Sequence, residues 1–169
     1  MFSHTNVSCF GGSNGIASVV ASGGTPGYTY SWSPSGNTSS IISGLISGTY
    51  TVQVKDSYSC TSTNTIAVIQ PTSSISLSVV SNSVSCFGGT NGSATATAIG
   101  WTSPYSYLWN GVGISGNVLS NITAGTYSVT GTDFKGCVVT NTVTVIEPSV
   151  ISLLMSSVNS NCSNASGQA

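Results

Sequence analysis

Charge is what this 169-residue sequence has least of: 3% of its residues are Asp, Glu, Lys or Arg, against about 25% in an average soluble domain. The charged side chains are Lys55, Asp56, Asp133, Lys135 and Glu147; arginine is absent and His4 is the single histidine. Phosphate backbones are neutralised by Lys and Arg, so a nucleic-acid partner is excluded on supply alone. A polybasic membrane surface and an acidic solvating tail are excluded in the same way. With so few carboxylates and one imidazole, acid–base chemistry lacks its groups; no catalytic residue is assigned and the chain is not read as an enzyme. Apolar runs are short, and none approaches the roughly 18 residues of a membrane span. The opening MFSHTNVSCF has neither the basic nor the apolar region of a signal peptide, as expected of a mature or excised segment.

What the sequence does have is Ser and Thr, about a third of all residues, with 20 Gly. Because 39% of residues are hydrophobic, it can still bury a core and is not a disordered polar tract. It also repeats itself. SCFGGSNG (Ser8–Gly15) returns as SCFGGTNG (Ser85–Gly92), YTYSW (Tyr28–Trp32) as YSYLW (Tyr105–Trp109), and GTYTV as GTYSV. Cys60 maps onto Cys137 and Gln70-Pro71 onto Glu147-Pro148, all at an offset of 77. After Pro148, ISLLMSSVNSNCSNASG follows the opening of the second copy with one residue deleted. The organisation expected is a first unit at 1–71, a second at 72–148 and the start of a third at 149–169.

Positions apolar in both copies alternate with polar ones: Ala17/Ala94 and Val19/Ala96, then Tyr50 and Val52 with their counterparts Tyr127 and Val129. Period-2 alternation, β-branched and aromatic residues and Gly-rich turns every 8–12 residues predict an all-β chain of tandem immunoglobulin-like β-sandwich domains. Tyr28, Tyr30 and Trp32, like Tyr105, Tyr107 and Trp109, share one strand face and form the expected core signature. Tyr50 and Tyr127 follow a Gly-Thr pair, as in a tyrosine corner.

These motifs together — sCFGGsNG, GGxxxYxYxW, GTYxV, a Cys and a closing QP or EP — resemble the SprB-type repeat. The resemblance implies a tandem repeat of long cell-surface adhesins and filaments of the Bacteroidota, displayed outside the cell. It implies adhesion or gliding, with no catalytic activity and no cofactor. Trp101 and Ser103 depart from Gly24 and Pro26 of the first copy, and Gly131 from Val54. Trp101, in a turn, is expected to be exposed and free to meet a neighbouring unit or a ligand.

Two cysteines per unit, Cys9 with Cys60 and Cys86 with Cys137, point to disulfides in an oxidising compartment. Cys162 belongs to the third unit, its partner outside this chain. No CxxC or His cluster suggests a metal site. The simplest pairing is within units, Cys9–Cys60 and Cys86–Cys137. Against it, those turns fall at opposite ends of an immunoglobulin-like sandwich, and Cys9–Cys137 across the two units is the alternative. Asp56 and Asp133 are expected to cap the loops before Cys60 and Cys137.

Three functions remain open. One is a structural and adhesive module of a surface fibre, its partners being neighbouring repeats or copies of itself. Another is a self-polymerising subunit whose tail residues Ile151, Ser152, Leu153 and Leu154 add a strand to the next subunit. The first copy lacks the counterpart of Ile75–Leu77, and that tail is a spare one. The third is a module binding surface glycans through its aromatics.

Overall fold

The computed structural model describes residues 1–100 and 102–157; Trp101 and Cys162 lie outside them. The described residues form thirteen strands and no helix. In the first unit, β1 (Phe2–Thr5), β2 (Gly15–Val19) and β4 (Ile41–Leu45) make one antiparallel sheet. The second sheet joins β3 (Thr29–Ser33), β5 (Gly48–Lys55) and β6 (Thr61–Val68).

The second unit repeats this plan. β7 (Ser76–Asn82), β8 (Gly92–Ile99) and β11 (Val118–Ile122) form one sheet. The other holds β9 (Ser106–Asn110), β12 (Gly125–Thr132) and β13 (Val138–Val145), with the short β10 (Ile114–Ser115) on the free edge of β9. Two facing antiparallel sheets per unit, each with one apolar face, are a β-sandwich. The chain is all-β and built of tandem immunoglobulin-like sandwiches.

Each sandwich has its own core. Val7, Ala17, Val19, Trp32, Ile42, Leu45, Tyr50, Val52 and Val68 close the first. Ile75, Leu77, Val84, Ala94, Ala96, Trp109, Leu119, Val129 and Val145 close most of the second. Trp32 and Trp109 are 1% and 0% exposed, and their indole N–H groups donate to the carbonyls of Ser39 and Gly116 at 2.8 and 3.0 Å. Tyr28, Tyr30, Tyr105 and Tyr107 are half-buried. The Tyr50 hydroxyl donates to the Ile46 carbonyl at 3.1 Å and that of Tyr127 to Thr123 at 3.0 Å. A tyrosine hydroxyl that ties down the backbone four residues upstream is the bond that defines a tyrosine corner.

Besides β10, the units differ at one sheet edge. β7 brings Ile75 and Leu77 into the second core. The first unit has no such residues, and an open groove of about 310 Å³ lies beside its edge. Met1, Phe2, Val20, Tyr28, Val54 and Cys60 are among its lining residues.

Candidate functional site: a disulfide junction between units

The turn that carries Cys9 is fixed by its own sequence. Ser8 N–H donates to Asn14 Oδ1 at 2.9 Å, Asn14 Nδ2 donates to Ser8 Oγ at 2.9 Å, and Gly12 N–H donates to the Cys9 carbonyl at 2.9 Å. Gly11 sits at φ +71°, a region that side chains with a Cβ avoid. A Cβ on Gly12 would come within 3.0 Å of both the Cys9 carbonyl and Val7. The paired glycines are therefore needed for different reasons, one for conformation and one for space. The Gln70 side chain then reaches back and accepts a hydrogen bond from Gly11 N–H at 2.9 Å.

The turn that carries Cys137 is closed by Asp133. Its Oδ1 accepts from Lys135 N–H at 2.8 Å and Cys137 N–H at 2.9 Å, while Asp133 N–H donates to the Cys137 carbonyl at 3.0 Å. Cys9 and Cys137 are joined by a disulfide, their Cα atoms 5.7 Å apart across 128 residues of sequence. Cys137 Sγ also lies 3.5 Å from the Ser8 carbonyl oxygen. The bond runs from the turn that opens β2 in the first unit to the β12–β13 turn of the second.

This corrects the pairing within units. Cys60 and Cys86 are free and exposed. The reason is the length of the sandwich. Cys60 adjoins the Lys55↔Thr61 end of the β5–β6 ladder, whereas the Cys9 turn is tied by Gln70 to the Gly48↔Val68 end. Seven residue steps of about 3.3 Å place those ends about 23 Å apart, far beyond the roughly 7 Å that a disulfide can span between Cα atoms.

Both turns recur in the other unit with the same bonds, except at the second carboxylate oxygen of the aspartate. Around Cys86, Ser85 N–H donates to Asn91 Oδ1 at 3.0 Å, Gly89 N–H to the Cys86 carbonyl at 2.9 Å, and Gly88 N–H to Glu147 Oε2 at 2.8 Å. Around Cys60, Asp56 Oδ1 accepts from Tyr58 N–H at 3.0 Å and Cys60 N–H at 2.8 Å. Asp56 Oδ2 accepts from Thr25 N–H at 3.0 Å. Donation from Thr25, and then from Cys60 and Tyr58, holds the Asp56 carboxyl below its ordinary pKa, against a smaller opposing effect of desolvation. Cys137 and Asp133, at the joined turn, are 4% and 5% exposed. Asp133 Oδ2 is buried without a hydrogen-bond partner among the described residues.

Residues 2–37 and 78–113 match the SprB repeat family. The chain carries two SprB-type repeats. Each matched stretch runs from the first strand of a sandwich through the CFGG turn to the YxYxW strand. One cysteine of the disulfide, Cys9, lies inside a matched stretch and the other, Cys137, beyond it. No match was found among curated proteins. Among solved structures, the amphioxus IgVJ-C2 molecule is similar at 15% identity and a TM-score of 0.34, covering 79% of this chain and 96% of that one. Murine CEACAM1b is similar at 14% identity and a TM-score of 0.32, covering 80% and 93%.

The structure brings Cys9 and Cys137 together and leaves Cys60 and Cys86 apart. Trp32 and Trp109 lie in the two cores and Tyr30, Tyr105 and Tyr107 pack against them, whereas Tyr28, expected in the core signature, lines the groove of the first unit. His4 stands exposed on β1, and no group of three or more metal-ligating side chains occurs among the described residues. Tail residues Ile151, Ser152, Leu153 and Leu154 are exposed and in no strand. Gln70 and Glu147 are the residues that sequence reasoning missed. Their recurrence before proline marks the close of each unit in the sequence, but the hydrogen bond each makes to a cysteine turn is a property of the fold.

Proposed function

We propose that the chain is a structural and adhesive module of an extracellular bacterial surface fibre, its SprB repeats serving as stalk or adhesin in attachment or gliding. The Cys9–Cys137 disulfide carries this reading. Such a bond sits between units in series, bypasses the linker that follows Pro71 and holds two sandwiches at a fixed mutual position. A covalent link of this kind suits a fibre under tension. Neutral sandwiches rich in Ser and Thr and stapled end to end suit repeated display outside the cell, where disulfides persist.

The test is antibody labelling of intact cells that produce the protein. Labelling of unpermeabilised cells, with loss of attachment or of surface movement when antibody fragments are added, supports the reading. Labelling only after permeabilisation overturns it.

A second reading, addition of the tail to the next subunit, is favoured by the groove in the first unit. Its position corresponds to the place that Ile75 and Leu77 fill in the second unit. The exposed Ile151-Ser152-Leu153 repeats the Ile75-Ser76-Leu77 sequence.

A further inference from the structure

Among the described residues Asp133 is the single buried charged side chain, 5% exposed, and it lies in the turn that the disulfide joins to the first unit. Its Oδ1 is filled by the N–H groups of Lys135 and Cys137. Its Oδ2 is buried and accepts nothing among the described residues. Lys135 gives the carboxylate its backbone N–H and leaves its side chain exposed. Buried charges are paired or coordinate a metal, because an uncompensated charge is expensive in a low-dielectric interior.

The first unit shows how the same turn is completed from within. There Asp56 Oδ2 accepts from Thr25 N–H at 3.0 Å. That arrangement depends on Gly24, where a Cβ would stand 2.7 Å from Asp56 Oδ2. The second unit has Trp101 at the equivalent position. The loop after it still docks, since Phe134 N–H donates to the Thr102 carbonyl at 3.1 Å as Ser57 N–H does to that of Thr25 at 3.4 Å. No N–H from it reaches Asp133 Oδ2. Exchanging glycine for tryptophan thus takes the internal donor away and leaves this oxygen to another partner.

The first unit brings a second oxygen to the same place. The Ser8 carbonyl oxygen lies 3.5 Å from Cys137 Sγ, and a sulfur in a disulfide has no proton to donate. Two oxygen acceptors, one from each unit, therefore flank Cys137, and no N–H or O–H of the described residues donates to either.

We propose that the junction binds a calcium ion, held by Asp133 Oδ2 of the second unit and the Ser8 carbonyl of the first, with water completing its shell.

Carboxylate, backbone carbonyl and water are the hard oxygen ligands that calcium takes in irregular geometry, whereas magnesium demands a strict octahedron and gives up its waters reluctantly. Zinc favours imidazole and thiolate, and the cysteines at this place are consumed in the disulfide. A single carboxylate makes the site weak, with a Kd of roughly 10⁻⁴–10⁻³ M, the range of extracellular calcium modules. The ion neutralises the buried charge and ties the two units together beside the covalent bond.

The proposal rests on the junction and not on where the chain is displayed, so its failure leaves the cell-labelling test untouched. The experiment titrates calcium chloride into the full chain by isothermal calorimetry and follows the amide shifts of Cys9, Lys135 and Cys137. Peptide mapping of Cys9–Cys137 shows that each variant has folded. The expected result is one saturable site in that range, with those amides shifting together and magnesium chloride binding about tenfold more weakly or less. Asp133→Asn should abolish the site. Trp101→Gly is the sharper variant: it keeps the carboxylate and restores the glycine that lets the next N–H reach Oδ2, so it too should lose the site. Asp56→Asn, at a turn whose Oδ2 is already filled, should bind calcium as the unaltered chain does. No saturable binding up to about 10 mM calcium, binding retained in folded Asp133→Asn or Trp101→Gly, or binding lost in Asp56→Asn overturns the proposal.

Discussion

Leu77 and Gly131 fit against each other across the second sandwich: a Cβ built on Gly131 would stand 3.3 Å from Leu77 Cδ1 and 3.5 Å from Cδ2. The first unit has Val54 at the equivalent position and no counterpart of Leu77. Valine is accommodated where the leucine is missing, and glycine where it is present. Gly131→Val is therefore expected to overpack the second core and destabilise it by about 1–3 kcal/mol, the usual cost of added methyls in a filled interior. Combined with Leu77→Ala the two changes should be less damaging than their sum, since residues in contact couple. Urea unfolding of the two single variants and the double variant measures this; strict additivity would show that the contact is not what excludes a side chain at position 131.

The disulfide makes a second expectation concrete. If a protease site is inserted between Thr72 and Ser73, cutting there should leave the units joined by Cys9–Cys137. The cut protein is expected to run as one species on a non-reducing gel and as two fragments after reduction. Cys9→Ser should give two fragments under both conditions. A wild-type pairing of Cys9 with Cys60 would release the fragments without reductant, and so distinguishes the two connectivities directly.

The sandwich architecture was readable because both copies keep the same inward positions. Two independent sequences with Tyr-x-Tyr-x-Trp and Gly-Thr-Tyr at one offset act as their own alignment, and period-2 burial follows from the pleat. The disulfide was harder to read. Equal spacing of Cys9–Cys60 and Cys86–Cys137 is what a repeat produces whether bonds lie within units or between them, so spacing alone does not decide connectivity. Deciding it takes the length of the β5–β6 ladder and the end of the sandwich to which Gln70 ties the Cys9 turn, both of which are properties of the folded unit. The groove in the first unit was foreseen as a missing segment, whereas the matching of Val54 to Gly131 requires knowing that Leu77 reaches across.

Gln70 and Glu147 provide a third prediction. Each accepts one hydrogen bond from the first glycine of a CFGG turn, at 2.9 and 2.8 Å. Gln70→Ala removes the acceptor at an exposed site and is expected to destabilise the first unit by about 0.5–1.5 kcal/mol. Glu147→Gln keeps a carbonyl oxygen in place and should preserve the turn, losing only the part due to charge. Amide hydrogen exchange at Gly11 and Gly88 reads the bond locally: faster exchange at Gly11 in Gln70→Ala is expected, with Gly88 unchanged.

Acid should open the turn at Cys60 before it unfolds the sandwich. Asp56 accepts hydrogen bonds from Thr25, Tyr58 and Cys60 in its ionised form, and Thr25 is the largest contributor to lowering its pKa below the ordinary 3.8. A folded-state pKa below the unfolded one means that the stabilisation is fully present above the unfolded value and is lost as pH falls through the folded value. The turn is therefore expected to be closed at neutral pH and to loosen only below the ordinary carboxylate range. Amide shifts of Thr25, Tyr58 and Cys60 should titrate together with a midpoint below 3.8. Asp56→Asn should abolish that shared titration while leaving the remaining strand amides of the first unit in place, because the side chain acts on the turn and not on the core. A midpoint above 3.8, or a titration of the three amides that persists in Asp56→Asn, would show that another group closes the turn.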